Sequence, residues 1–183
     1  MIVTLIVIGL TAIGGDAPAP LRSGARAGDA LWVTGTIGDG GAGLRIARGE
    51  RGPSGLPAAY HRPHPRLADG RALAPLVHAM MDVSDGLLID AGRMAAASGL
   101  AVAIDLAAIP LSPDYRSFAG ENRRARIAAA TAGDDYQLLF AAPPGMSPPV
   151  PATRIGTFAT GSGLTLTDGT TAVPLPARLG FQH

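Results

Sequence analysis

A chain of 183 residues with 47% hydrophobic content and a formal charge of +1 fits one globular domain and carries no charge excess that would recruit nucleic acid or an anionic membrane. Its 15 basic Lys/Arg positions are all Arg, which rules out a Walker A lysine, a Schiff-base lysine and a protein-kinase strand lysine. With no Cys there are no disulfides, thiolate metal sites or thiol nucleophiles, and a reducing compartment is allowed.

In chain order, MIVTLIVIGLTAIGG reads as a β-strand. β-branched residues dominate it, no basic segment precedes the apolar run, and Thr4, Gly9 and Thr11 break the run before it could span a bilayer. Such a strand leaves an edge in need of a partner. Residues 30–35 read as a strand, 41–49 as a short helix, and 51–70 as a Pro-rich connection with a helical turn. Residues 71–79 read as helix, 80–84 as strand, and 85–98 as a helix with Leu87, Ala91 and Met94 on one face. Residues 100–106 are strand again, which makes a β-α-β unit. A basic-faced helix over 121–133 and a strand over 136–143 follow, and the tail holds short strands around TRIGTF and LTLTDG. There is no internal repeat.

The stretch MMDVSDGLLID concentrates the chemistry. In a strand Asp82 and Ser84 point the same way, and Asp85 opens the helix, so three oxygen-bearing side chains face one small volume. Ser84 as N-cap and Asp85 in the first turn account for two of them without any ligand. Asp82 is left over, because a carboxylate within MMDV is costly to bury without a partner or a metal. Carboxylate and hydroxyl oxygens suit Mg²⁺, and the helix N-terminus favours a phosphate. Structural capping and a magnesium–phosphate site both stand on the residues alone.

AGDDYQLLF (132–140) places paired acids before an apolar strand, either as a second site or as a turn in which Asp134 or Asp135 caps its own backbone. GDGGAG (38–43) satisfies G-x-G-x-x-G, but no parallel strand follows closely and no acid sits about 20 positions on to hold a ribose; it reads as a flexible turn and helix start. His61 and His64 read as surface histidines, Arg123, Arg124 and Arg126 as a solvated helix face, Trp32, Phe140 and Phe158 as core, and His78 as a packed histidine behind the acidic strand.

The segments MDVSDGLLIDAGRMAAASGLAVAIDLAAIPLS, AGDDYQLLFAAP, LRSGARAGDALWVTGTIGDGGAGL and HPRL resemble those of the thiamine-monophosphate kinases, in the superfamily that includes aminoimidazole ribonucleotide synthetase. The likeness covers essentially the whole chain, and IDL…IPLS together with G(E/D)DYxLLF points to the thiamine kinases within it. It implies an α+β fold, a mixed β-sheet with packed helices. Residues 1–20 would be the last strand and linker of an N-terminal ATP-binding domain, and residues 21–183 the C-terminal kinase domain. The implied reaction is cytoplasmic transfer of the γ-phosphoryl of ATP to thiamine monophosphate, giving thiamine diphosphate, with Mg²⁺. By resemblance Asp82 and Asp85 match magnesium-binding aspartates, Ser84 a nucleotide contact, Arg22 an arginine on the ATP phosphates, and Asp134 a substrate-contacting Glu. The chain departs from the pattern at Asp134, at Ala132 where the family has Gly, and at GFQH, which stops one residue before a substrate-packing aromatic. The family's N-terminal motifs have no counterpart here. That implies an N-terminal half supplied in trans or within the full-length homodimer, and inactivity of this chain alone. The competing readings are a non-catalytic phosphate-binding remnant and a synthetase of the same superfamily acting on another phosphate or acyl substrate.

Overall fold

The computed structural model describes residues 19–181, so the strand expected over residues 1–13 lies outside the described residues. Seven strands form one sheet: β1 (Ala30–Thr34), β2 (Ala79–Asp82), β3 (Leu100–Asp105), β4 (Leu138–Ala142), β5 (Ala152–Thr160), β6 (Gly163–Asp168) and β7 (Thr171–Val173), in the order β2-β4-β1-β5-β3-β6-β7. β3 and β6 pair in parallel and the other neighbours antiparallel, so the sheet is mixed. Among the described residues six α-helices accompany it: α1 (Asp39–Ala47), α2 (Gly55–His61), α3 (Leu67–Leu73), α4 (Leu87–Ala97), α5 (Pro113–Ala119) and α6 (Arg123–Thr131). The architecture is the expected α+β.

Strand alternation decides where the cores lie. In β4, Leu139 and Ala141 enter the main core, where Leu87, Leu88, Ala91 and Met94 of α4 and Ala125 and Ala129 of α6 meet them. The intervening Phe140 and Ala142 face the other way, into a smaller core closed by Leu73, Val77, Met146 and Val150. β4 is therefore buried on both faces, which explains its unbroken apolar sequence. The pairing of β1 with β5 shifts register between Leu31 and Trp32, opposite Gly156 and Arg154. The extra residue, Ile155, reverses the alternation, so Ile155 and Phe158 enter the same core. A side chain at Gly156 would meet the Ala103 carbonyl at 2.2 Å, so only glycine fits there.

Several expectations change. The connection over 51–70 contains α2 and the start of α3, and the helix expected over 71–79 ends at Leu73 because Pro75 follows; Ala79 already pairs in β2. β2 and β3 run the same way in one sheet with β4, β1 and β5 between them, so α4 closes the expected β-α-β unit by crossing over three intervening strands. The period-2 pattern marks strands; it does not say which strands are neighbours. The Arg cluster is only partly solvated: Arg123 pairs with Asp168 at 2.8 Å, and Arg126 Nη1 donates to the Leu106 and Ile109 carbonyls at 3.2 and 2.9 Å. Phe140 and Phe158 are core as expected, Trp32 is half-buried against Phe140, and His61 and His64 are exposed. His78 is anchored by the buried Asp29, its Nδ1 lying 2.9 Å from Oδ2.

Candidate active site

Two loops are stitched together at one end of the sheet. The Val83 amide donates to the Gln137 carbonyl at 2.8 Å, Tyr136 N to the Val83 carbonyl at 2.8 Å, and Asp134 N to the Ser84 carbonyl at 2.9 Å. The two acidic motifs of the sequence, DVSD and GDDY, are thereby one structural unit. From a third side, Phe181 N donates to the Asp85 carbonyl at 2.8 Å. The approach is close enough to require glycine twice. A side chain at Gly133 would meet Ser84 O at 2.5 Å, and one at Gly180 would meet Asp85 O at 2.5 Å. Asp134 and Tyr136 adopt left-handed backbone angles, φ 65° and 50°, a conformation that costs a non-glycine residue on the order of 1–3 kcal/mol and concentrates at functional sites.

The unit lines a cleft of about 710 Å³ through Ser84, Asp85, Asp134 and Tyr136, together with Gly41 and Leu44 of α1, Arg178 and Phe181. Tyr136 reports the charge there. Burial and the neighbouring Asp134, Asp82 and Asp85 all push its phenol upward, and its hydroxyl donates to Asp134 Oδ1 at 3.3 Å. Three carboxylates therefore surround one half-exposed ring, a mutual repulsion that a cation would relieve.

Asp82 is exposed at the end of edge strand β2, so burial is not what requires a partner for it. Ser84 is not the cap of α4: the N-cap is Gly86 and no side chain caps it from that position. Asp90, wholly buried in the next turn, reaches back instead, its Oδ2 accepting the amides of Ser84, Asp85 and Gly86 at 3.1, 3.1 and 3.3 Å. The amides of the loop that leads into α4 are thus taken by a carboxylate. Burial pushes the Asp90 carboxyl up, and these amides and Arg93 pull it back down. Arg22 stands apart. Its carbonyl accepts from Ser98 Oγ at the C-terminal end of α4, while Asp85 precedes the other end, and Arg22 does not line the cleft.

Asp135 does not cap its own turn. It is buried, and its carboxylate accepts Gly38 N at 2.8 Å and Gly40 N at 3.0 Å, pinning the start of α1 to the GDDY loop. The glycine-rich turn is therefore clamped rather than flexible. Its glycines serve close packing: a side chain at Gly40 would meet Asp134 O at 2.4 Å, and one at Gly43 would meet Leu56 O at 2.2 Å. Burial, and then Asp39 and Asp134, push the Asp135 carboxyl up to about 7 against the pull of the two amides. A smaller cleft of about 290 Å³, lined by Thr36, Asp39, Arg62 and His64, opens on the other side of Asp134.

Among the described residues no group of three acidic or histidine side chains forms a metal cage. The donor set fits a Mg²⁺ of another kind. The Asp82 carboxylate is exposed, and Asp85, paired with Arg93, lines the cleft; two such carboxylates suit an ion that completes its shell with water and phosphate. No helix among the described residues is long and apolar enough to cross a membrane.

Sequence reasoning named Asp82, Ser84, Asp85 and Asp134, which the structure brings together, and missed Asp90, Arg93 and Tyr136. Asp90 carried a signal: it occupies the apolar face of α4, three residues after Leu87 and four before Met94, where an acid must have partners.

The chain is 37% identical over 177 residues to a thiamine-monophosphate kinase of Caulobacter vibrioides, covering 89% of this chain and 50% of that one. It is 40% identical over 128 residues to the thiamine-monophosphate kinase of Escherichia coli K12, covering 67% of this chain and 39% of that one. A solved structure of AaThiL complexed with AMPPCP and TMP superposes with a TM-score of 0.74 at 34% identity, over 84% of this chain and 52% of that chain. The chain spans about half the length of the curated relative from Caulobacter vibrioides. Residues 26–167 match the family described as AIR synthase related protein, C-terminal domain, and the chain belongs to that family.

Proposed function

We propose that this chain is the C-terminal part of a cytoplasmic thiamine-monophosphate kinase, acting with an N-terminal half supplied in trans or within a longer homodimeric chain. The observation that carries the reading is the stitched DVSD–GDDY unit, which gathers Asp82, Asp85 and Asp134 around Tyr136 at the edge of a cleft. Relatives bearing that name share 37% and 40% identity with the chain, and AaThiL has been solved with AMPPCP and TMP.

Asp82 and Asp85 would hold Mg²⁺, which offsets charge on the transferring phosphates. Ser84 contributes its hydroxyl to the nucleotide. Asp134 faces the acceptor, and its hydrogen bond from Tyr136 fixes its orientation. An acidic cleft repels a bare phosphate, so these residues accept a nucleotide only with its cation. Phosphoryl transfer of this kind is mainly positioning and charge neutralisation, and the chain spans about half the length of the Caulobacter vibrioides relative.

The test is thiamine diphosphate formation from ATP and thiamine monophosphate by the purified chain, with and without the N-terminal half of the Caulobacter vibrioides relative. The reading predicts no turnover alone and Mg-dependent turnover on addition, abolished by Asp82→Asn. Reconstituted turnover unaffected by Asp82→Asn, or a phosphorylated acceptor other than thiamine monophosphate, would overturn it.

A further inference from the structure

The DVSDG loop carries a cation of its own. Asp90 divides its oxygens: Oδ2 takes the three amides of residues 84–86, and Oδ1 accepts Arg93 Nη1 at 2.9 Å. The same Nη1 donates to Asp85 Oδ2. One guanidinium nitrogen thus bridges a carboxylate sealed in the core to a carboxylate that lines the cleft. Asp90 cannot follow a moving Arg93, because its side chain is fully buried and pinned to the backbone. Arg93 is 38% exposed and can swing.

We propose that Arg93 is a tethered counter-ion. It occupies the Asp85 oxygen that a divalent cation would use, so the cation binds by displacing Arg93 from Asp85 while Asp90 retains it. The proposal rests on the reading of Asp85 as a metal ligand. Mg²⁺ demands near-octahedral oxygen ligands, and an N–H donor on the same oxygen competes for the lone pair while repelling the dication. Arg93 also offsets the repulsion between Asp85 and Asp90 when no cation is bound. The consequence is selectivity: a cation alone is held off, and a cation arriving with phosphates, which supply further ligands, displaces the arginine.

The experiment is a Mn²⁺ titration of the 183-residue chain without nucleotide, read by electron paramagnetic resonance, with circular dichroism as the check of fold. Arg93→Gln should bind Mn²⁺ about tenfold more tightly than the parent, a modest factor because the displaced pair is partly solvated. Arg93→Lys should restore parental affinity, Asp85→Asn should bind weakly, and the double variant should gain nothing over Asp85→Asn. A folded Arg93→Gln protein that binds no more tightly overturns the counter-ion, even if Asp85→Asn weakens binding. Unchanged affinity in Asp85→Asn overturns both the metal reading and the proposal. Should Arg93→Gln fail to fold, the Arg93 guanidinium ¹⁵N resonances of the parent decide, since Mg²⁺ must shift them and unshifted resonances contradict displacement.

Discussion

Replacing Asp135 by Asn removes one buried charge and leaves the clamp on α1 nearly isosteric. Its carboxyl titrates at about 7 in the fold, against 3.8 for the ordinary group. Between those values the native chain holds a proton that the unfolded chain has lost, so this group's stabilising contribution is complete below pH 4 and is lost as pH rises through 7. About three pH units at 1.36 kcal/mol each set an upper bound of about 4 kcal/mol. Asn cannot titrate, but its amide faces one of the two donors, Gly38 N or Gly40 N, and forfeits a bond worth about 1–2 kcal/mol. Asp135→Asn should therefore be less stable than the parent at about pH 4, draw level near about pH 5, and exceed it at about pH 8. Urea denaturation of both proteins across that range measures the difference, in which all other titrating groups cancel. A difference constant from about pH 4 to about pH 8 would refute the reasoning.

Gly133→Ala should cost about 2 kcal/mol or more in the same assay, because its methyl meets the Ser84 carbonyl at 2.5 Å, and it should weaken nucleotide binding as the loops part. Phe140→Ala, emptying the smaller core, should cost about 3–5 kcal/mol while leaving nucleotide affinity within about twofold if the chain stays folded. Asp82→Asn, at an exposed strand end, should change stability by no more than about 0.5 kcal/mol, separating its role in binding from any role in folding.

The main elements were legible because their patterns are local. The buried stripe of α4 and the apolar run of β4 are visible in the sequence, and the motif DVSD marks the loop that meets GDDY. What was not legible depends on long-range closure. Asp135 looks like a turn residue until Gly38 and Gly40, nearly a hundred positions earlier, present their amides to it. The pairing of DVSD with GDDY has the same character, since neither motif contains its partner. Strand order is invisible to period-2 alternation, which gives no sign that β4, β1 and β5 lie between β2 and β3. The Ser84 cap fails for a local reason: the helix starts two residues later, at Gly86, and the buried Asp90 four residues beyond that gathers the amides of residues 84–86.

Calorimetric titration of AMPPCP into the chain, with and without Mg²⁺, tests the stitched acidic unit most directly. Nucleotide should bind only with Mg²⁺, and Asp82→Asn and Asp85→Asn should each weaken that binding at least about tenfold, a loss of about 1.4 kcal/mol. Binding that ignores Mg²⁺, or that survives unchanged in both folded variants, would contradict the account.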